Sequence, residues 1–177
     1  RSAYDALAAA GPQLMLASYF GALDDNLDLA LSLPVAGLHL DLVRAPEQVA
    51  GLLAKGTDKV LSLGLVDGRN VWRADLARAL ELAQTAVQTF AADRIQIAPS
   101  CSLLHVPVDL AAETGLDAEL TSWLSFATQK LAEVATLTAT LNGVDTRADL
   151  AANAAALAAR RASPRIHSPQ VKARSAA

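Results

Sequence analysis

Four short apolar runs recur along the first hundred residues of this chain, and each ends at small or polar side chains. They occupy residues 14–20, 36–43, 60–66 and 95–98. Runs of this length are typical of buried β-strands, and their near-continuous apolar character predicts parallel strands that are covered on both faces. Amphipathic segments separate the runs, so the pattern predicts repeated βα units.

The segments between the runs carry helical spacing and helix start signals. They predict helices at residues 26–33, 46–54 and 73–90, the second with Pro46 in its first turn. The third is the most strongly helical, because leucine, valine and alanine recur through it at three- and four-residue intervals.

The chain is expected to remain helical after His105. Leucines recur there at helical intervals, which predicts one helix of about seven turns. Asp145 or Thr146 should cap a last, alanine-rich helix, and the Pro- and Ser-interrupted basic tail reads as a tether. We therefore expect a barrel-type domain over residues 1–162 and a tail or interdomain linker over residues 163–177.

Four βα units are half of an eight-stranded (βα)8 barrel of the TIM type, which needs about 250 residues when complete. An open doubly wound sheet is the alternative, but no strand end carries the GxGxxG turn typical of dinucleotide sites. We predict an α/β fold in which four βα units form half of a barrel, followed by long C-terminal helices.

The ends of the predicted sheet and of the chain both suggest that something is missing. The first and last strands of a half-barrel have unpaired edges, which predicts pairing with a missing half or self-association with a second copy. The chain starts at Arg1 rather than Met, with a helical segment ended by Gly11 and Pro12. Both features predict a fragment of a longer protein.

The composition narrows the class of protein. Of 177 residues, 53% are hydrophobic, which is ample for one core. No apolar run approaches the roughly 18 residues of a membrane span, and residues 1–10 lack the order of a secretory signal. The net charge of −3, without a basic cluster before the C-terminus, argues against a nucleic-acid partner. The single cysteine, Cys101, fits a reducing compartment, so we expect a soluble cytoplasmic protein without a membrane partner.

Polar side chains follow each predicted strand, where barrels build their active sites. A small-ligand site at one shared mouth is one interpretation. The other, which we favour, is structural: Asp67 and Gly68 form a turn, Asn70 or a neighbour caps a helix near Trp72, and Asp41 accepts backbone N–H groups. The strand-end residues are Ser18, Tyr19, Asp41, Asp67, Arg69, Asn70, Ser100, Cys101 and Ser102.

Cys101 and His105, four residues apart, suggest a pair of zinc ligands or a nucleophile pair, but zinc sites need three or four ligands. We favour an inert buried thiol. His39 alternates with leucines and is expected to be a buried imidazole with its hydrogen bonds satisfied. Trp123 is expected in the core, and the role of Trp72 is left open.

Longer strings give a stronger signal than any of these residues. They closely resemble the N-terminal domain of cobalamin-independent methionine synthase (5-methyltetrahydropteroyltriglutamate–homocysteine S-methyltransferase). The segment RIHSPQVKAR in the tail resembles the start of the connection to that family's second domain. The strings are LPVAGLHLDLV (33–43), LSLGLVDGRNVWRADL (61–76), APSCSLLHVPVDL (98–110) and ELTSWLSFATQKLAE (119–133).

The resemblance implies a specific activity for the parent protein. Such enzymes consist of two barrels and transfer a methyl group from 5-methyltetrahydrofolate polyglutamate to homocysteine, whose thiolate is bound by zinc. The zinc ligands and the catalytic histidine belong to the C-terminal barrel, and the folate-tail contacts lie upstream of this sequence. The chain would then be the second half of the N-terminal barrel, inactive alone, with the first half of that barrel and the C-terminal catalytic barrel as partners.

The resemblance also bears on Cys101, which aligns with the last zinc cysteine of the catalytic barrel. No histidine stands at residues 67–70, where that barrel carries its general acid, and residues 14–20 lack its His-x-Cys pair. We therefore expect no catalytic residue, no metal ligand and no cofactor in this chain. Two alternatives remain: a stand-alone binding module built on Asp41, Asp67, Asn70 and Cys101, and a zinc site completed by self-association through Cys101 and His105.

Overall fold

The computed structural model describes residues 1–175, in which strands and helices alternate before the chain becomes mainly helical. The strands are β1 (Met15–Ser18), β2 (Gly37–Asp41), β3 (Val60–Val66) and β4 (Ile95–Pro99). The helices are α1 (Ser2–Ala9), α2 (Leu27–Ser32), α3 (Gln48–Lys55), α4 (Leu76–Thr89), α5 (Ala118–Trp123), α6 (Ala127–Leu141), α7 (Arg147–Ala162) and α8 (Pro169–Ser175). Short 3-10 turns occupy residues 24–26, 92–94, 103–105, 110–112 and 164–166.

The four strands form one parallel sheet in the order β1-β2-β3-β4. Each predicted strand is present, and β3 spans the predicted residues 60–66. Consecutive parallel strands need a crossover between them, which α2, α3 and α4 supply. The α/β class and the parallel sheet predicted from the apolar runs are confirmed.

The two faces of this sheet differ in chemistry because side chains alternate along each strand. We call one the leucine face, where Leu16, Leu38, Leu61 and Ile95 lie in register. We call the other the polar face, where Ala17, His39, Ser62 and Gln96 lie in register.

The main core covers the leucine face. Leu38, Leu61 and Leu63 are fully buried there. Leu52 of α3, Ala83 of α4 and Leu137 of α6 belong to the same cluster. On the polar face, Ala17 and Gln96 at the two outer strands are exposed. The core therefore lies between the sheet and its helices.

The prediction of one long helix after His105 is wrong. Residues 103–117 contain only 3-10 turns, and α5 stops at Trp123, before α6 begins at Ala127. Trp72 and Leu124 form an antiparallel bridge, flanked by hydrogen bonds from Ser125 N–H to the Val71 carbonyl and from Arg73 N–H to the Trp123 carbonyl. This long-range pairing holds residues 124–126 extended and so divides the helical pattern.

The predicted alanine-rich helix is present as α7, and Asp145 accepts the Arg147 N–H at its start. Beyond α7 the described part of the tail contains α8 and is attached to α5. Arg165 donates to Asp117 at 2.8 Å and to Glu119 at 3.1 Å, and this partner lowers the pKa of Asp117 to about 2. The role of residues 163–177 as a linker stays a prediction, and residues 176–177 lie outside the described part.

None of the helices in residues 1–175 combines the length and the apolar character that crossing a membrane requires.

Candidate functional site at the strand ends

Asp41 lies at the centre of the edge where the carboxyl ends of the parallel strands meet. It ends β2 and is fully buried. Its Oδ2 accepts the Phe20 N–H at 2.9 Å, and its Oδ1 accepts the N–H groups of Val43 and Arg44 at 3.0 and 2.9 Å. A buried carboxylate needs such donors because burial penalises its charge. The prediction that Asp41 serves backbone N–H groups is confirmed.

One of those donors belongs to a strained residue. Phe20 has φ of 74°, which a bulky side chain seldom adopts and which costs about 1–3 kcal/mol. The residue stays 44% exposed. It packs edge-on against Tyr19 at 4.7 Å between centroids, carries the Arg69 guanidinium at 4.4 Å, and lies 5.8 Å from the His105 ring. We call Tyr19, Phe20, Arg69 and His105 the aromatic patch, since they present an aromatic surface at the strand ends.

The predicted turn at Asp67 and Gly68 is present after β3, and Asn70 adds hydrogen bonds within the same loop. Asp67 Oδ1 accepts the Arg69 N–H at 2.8 Å, and Asp67 Oδ2 accepts from Asn70 Nδ2 at 2.6 Å. Asn70 Oδ1 accepts the Trp72 N–H at 2.9 Å. The polar atoms of Asp67 and Asn70 are therefore engaged within their own loop.

The expectation that Asn70 or a neighbour caps a helix near Trp72 is wrong. The helix α4 begins at Leu76, and Asp75 caps it by accepting the Arg78 N–H at 3.2 Å. Residues 71–73 are instead held by the antiparallel bridge between Trp72 and Leu124. A distant segment thus delays the helix by one turn.

The loops after β3 and β4 touch at Gly68. Its N–H donates to Ser100 Oγ at 3.2 Å, and a Cβ at this position would stand 2.9 Å from Cys101 Sγ. Glycine is therefore required at position 68 because Cys101 lies too close for a Cβ, and not because of the backbone angle φ. Asp41, Asp67 and Cys101, predicted to share one mouth, are close enough for both carboxylates to act electrostatically on the thiol.

Cys101 is 7% exposed, and burial raises the pKa of its thiol above the usual value, with a further rise from Asp41 and Asp67. The thiolate is the form that binds metals and attacks electrophiles, so a neutral thiol serves neither purpose well. No group of three His, Cys, Asp or Glu side chains within residues 1–175 is placed to hold a metal ion. These donors do not fit zinc, which takes three or four protein ligands.

His39, Trp123 and Trp72 have structural surroundings, although the Trp123 indole N–H has no acceptor within residues 1–175. His39 is buried, with Nδ1 2.9 Å from Ser62 Oγ and Nε2 3.2 Å from the Ser100 carbonyl, which confirms a satisfied imidazole. Trp123 is 2% exposed, as predicted for a core residue. Trp72 is half-buried, and the Arg160 guanidinium lies 4.9 Å from its ring centroid.

Sequence reasoning missed a buried charged pair on α6. Lys130 is fully buried and donates to the Trp72 carbonyl at 3.0 Å, and Glu133 accepts the Ala74 N–H at 3.1 Å. Burial lowers the pKa of Lys130 and raises the pKa of Glu133, while each charge partly offsets the effect on the other. The available signal was their i, i+3 spacing within an otherwise buried helix face. The pair holds the loop after β3 against α6.

Comparison with known proteins places this sheet in a family. Residues 1–91 match the family described as "Cobalamin-independent synthase, N-terminal domain". That match covers half of the chain and includes β1, β2, β3 and α4.

Curated relatives extend the likeness over the whole chain. Proteins named 5-methyltetrahydropteroyltriglutamate–homocysteine methyltransferase from Rhodopseudomonas palustris (strain TIE-1) and Nitrobacter winogradskyi are each 56% identical to it over 182 aligned positions, covering 100% of the chain. One of the same name from Acidithiobacillus ferrooxidans is 57% identical over 166 positions and 92% of the chain. The matches cover 23%, 24% and 21% of those proteins, so the chain spans about a quarter of their length.

Proposed function

Since the chain belongs to the family of cobalamin-independent synthase N-terminal domains, we propose that it is the second half of a non-catalytic N-terminal barrel. The parent enzyme transfers a methyl group from 5-methyltetrahydrofolate polyglutamate to homocysteine and forms methionine. The single observation that carries the proposal is the identity of 56% over the full chain with methyltransferases of that name.

The shape of the sheet supports a half-barrel. One face is buried by helices, whereas the polar face is exposed at Ala17 and Gln96, on the two outer strands. Within residues 1–175, strands β1 and β4 each pair on one side only. A first half supplied by the parent protein would pair with both edges and enclose the polar face.

The strand ends support a scaffold rather than a catalytic role. The side chains of Asp41, Asp67 and Asn70 form hydrogen bonds with other groups of this chain. Cys101 is a buried thiol. In this proposal zinc belongs to the C-terminal barrel of the parent, and this chain contributes no ligand. The lone cysteine fits the reducing cytoplasm, which is the location we propose.

The C-terminal catalytic barrel is proposed to dock on the aromatic patch and on the loop that follows β4. Leu104 is 92% exposed and Val108 is 77% exposed in that loop. Exposed apolar side chains beside an aromatic surface are typical of an interface. This contact would form a wall of the active site without supplying a reacting group.

The proposal is tested by splitting the parent enzyme. In a methionine auxotroph, this chain expressed with the remaining segments of the Rhodopseudomonas relative is expected to restore growth, and each part alone is not. Growth with this chain alone would refute the scaffold role. The Cys101→Ser chain is expected to restore growth as well as the unsubstituted chain. If it is expressed and folded normally but does not restore growth, Cys101 would have to be reconsidered as a metal ligand.

Self-association is tested separately by light scattering of the purified chain. Unpaired strand edges predict a dimer, or a chain that gains stability when its missing half is added. A cooperative, monodisperse monomer that is indifferent to that half would contradict the half-barrel.

A further inference from the structure

A cleft of about 230 Å³ opens between the loop after β3, the start of α4 and the end of α7. Four arginines line it, namely Arg73, Arg78, Arg160 and Arg161, and we call it the arginine cleft. Its carboxylates are Asp67 and Asp75, which leaves an excess of two positive charges. The volume lies below the range of about 300–1,000 Å³ for drug-sized ligands, so it suits a compact one.

The two carboxylates of the cleft already have partners. Asp75 caps α4 and accepts from Arg161 at 3.3 Å. Asp67 accepts from its own loop, and its nearest cation is Arg44 at 3.9 Å. Within residues 1–175, Arg73, Arg78 and Arg160 form no ion pair with a carboxylate, although the buried Glu133 acts electrostatically on Arg73.

Two donors of these arginines are buried without an acceptor. Nε of Arg73 and Nη1 of Arg160 are each shielded from solvent and make no hydrogen bond within the described residues. A buried donor left unsatisfied is costly, because it has lost water without gaining a partner. An anion in the cleft would not reach these two shielded atoms themselves, but it would accept from the other N–H groups of the same two guanidinium forks, which line the cleft.

The second of these arginines is held in place before any ligand arrives. Its guanidinium lies against the ring of Trp72 at 4.9 Å. Trp72 is fixed through its carbonyl by Lys130, through its N–H by Asn70, and through the bridge to Leu124. A pre-oriented guanidinium loses less freedom on binding and presents its fork to an oxyanion.

We propose that the arginine cleft binds the phosphate group of a small molecule, with Arg73 and Arg160 donating to its oxygens and Arg78 at the exposed mouth. Donors arrive from the loop after β3, from α4 and from α7, which matches a tetrahedral dianion better than a planar carboxylate. Guanidinium groups recognise phosphate through paired N–H donors. The site would have no part in methyl transfer, since it lies on the helix side of the strand ends.

Isothermal titration calorimetry of the purified protein with inorganic phosphate tests the proposal. A saturable isotherm with one site per chain is expected, together with weaker binding of acetate. Arg160→Gln should weaken phosphate binding by about tenfold to a hundredfold, because it removes a charge-assisted pair of hydrogen bonds. Arg147→Gln is the matched control. Arg147 lies on the same helix and carries the same charge, and its ion pair, with Asp145, is at the far end of that helix.

Each remaining result decides the question. No saturable heat with the unsubstituted protein, or equal weakening in both variants, would overturn the site. If Arg160→Gln loses its helical circular dichroism, Arg160→Lys replaces it. Arg160→Lys keeps the positive charge but lacks the paired N–H donors of a guanidinium. If it binds phosphate as tightly as the unsubstituted protein, recognition by the guanidinium is refuted.

A second titration distinguishes a phosphate monoester from free inorganic phosphate as the ligand. Glycerol 3-phosphate binding at least as tightly as inorganic phosphate would assign a phosphate monoester, because the exposed mouth at Arg78 leaves room for the ester group. Binding of inorganic phosphate alone would assign the free ion. Failure of both would refute the proposal, whereas growth of the auxotroph would be untouched by it.

Discussion

The leucine face and the polar face of one sheet are built from the same four strands but do different work. Side chains such as Leu38 and Leu63 are fully buried beneath α3, α4 and α6. One residue away, His39 and Ser62 bond to each other, and their neighbours Ala17 and Gln96 face solvent. The difference teaches that the helices bury the leucine face, whereas the polar face is left open at its outer strands, where the proposed half-barrel would receive its missing half.

The largest expected effect is on the leucine face. Leu63→Ala should lower the free energy of unfolding by about 2–5 kcal/mol, because a fully buried leucine leaves a cavity between β3 and its helices. Urea denaturation followed by circular dichroism measures the loss. Loss of less than about 1 kcal/mol would show that the cluster is not the stabilising core.

The next effect tests how tightly the polar face approaches neighbouring backbone. Gly64→Ala would place a Cβ 2.7 Å from the Leu40 carbonyl oxygen and 2.8 Å from Ser100 Cα, so we expect a loss of about 1–3 kcal/mol. Gly51→Ala is the control, because its Cβ would meet only Leu27 Cδ2 at 3.5 Å within α3. That substitution should stabilise the chain by about 0.4–1 kcal/mol. Equal effects at both positions would contradict the close approach.

A third prediction concerns the charged pair on the helix side of the sheet. The raised pKa of Glu133 means that its contribution to stability is complete below the ordinary value of 4.5 and is lost as the pH rises through the raised one. Glu133→Gln keeps an acceptor for the Ala74 N–H but does not titrate. The stability of Glu133→Gln relative to the unsubstituted chain should therefore increase from pH 4 upward. Thermal unfolding of both proteins across that range measures the trend, and a constant difference would contradict it.

The smallest effect is expected at the open edge of the polar face. Gln96→Thr should change the stability of this chain by no more than about 0.5 kcal/mol, because Gln96 is exposed. The same substitution in the full parent enzyme should cost more, since the proposed first half would enclose this position. Identical effects in the two proteins would argue against that enclosure.

Local sequence was sufficient for the sheet but not for everything packed on it. The run VLSLGLV lies between Asp58 and Asp67, so its pattern alone located β3. No glycine or proline stands between Trp123 and Ala127, and the break there comes from the pairing of Leu124 with Trp72. Only tertiary structure could reveal it.

The sequence likewise predicted which residues lie at the strand ends, but not which contacts they make. Asp41, Asp67 and Cys101 were expected near one another from parallel topology, and they are. Asp41 also accepts a hydrogen bond from the strained backbone of Phe20. This contact joins the ends of two different strands, so local sequence does not predict it. Lys130 and Glu133 escaped notice because charged residues on helices are mostly exposed.

The single β-bridge between Trp72 and Leu124 also predicts an order in which the chain folds. Trp72 and Leu124 are about fifty residues apart in sequence. Bringing them together closes a long loop, which costs conformational entropy before the contacts of the bridge can offset it. The β-strands and α4 can associate through nearer neighbours, so we expect Trp72 to acquire its fixed place only after α5 and α6 have docked. We therefore expect the guanidinium that stacks on that indole to be among the last groups to reach its position as the chain folds.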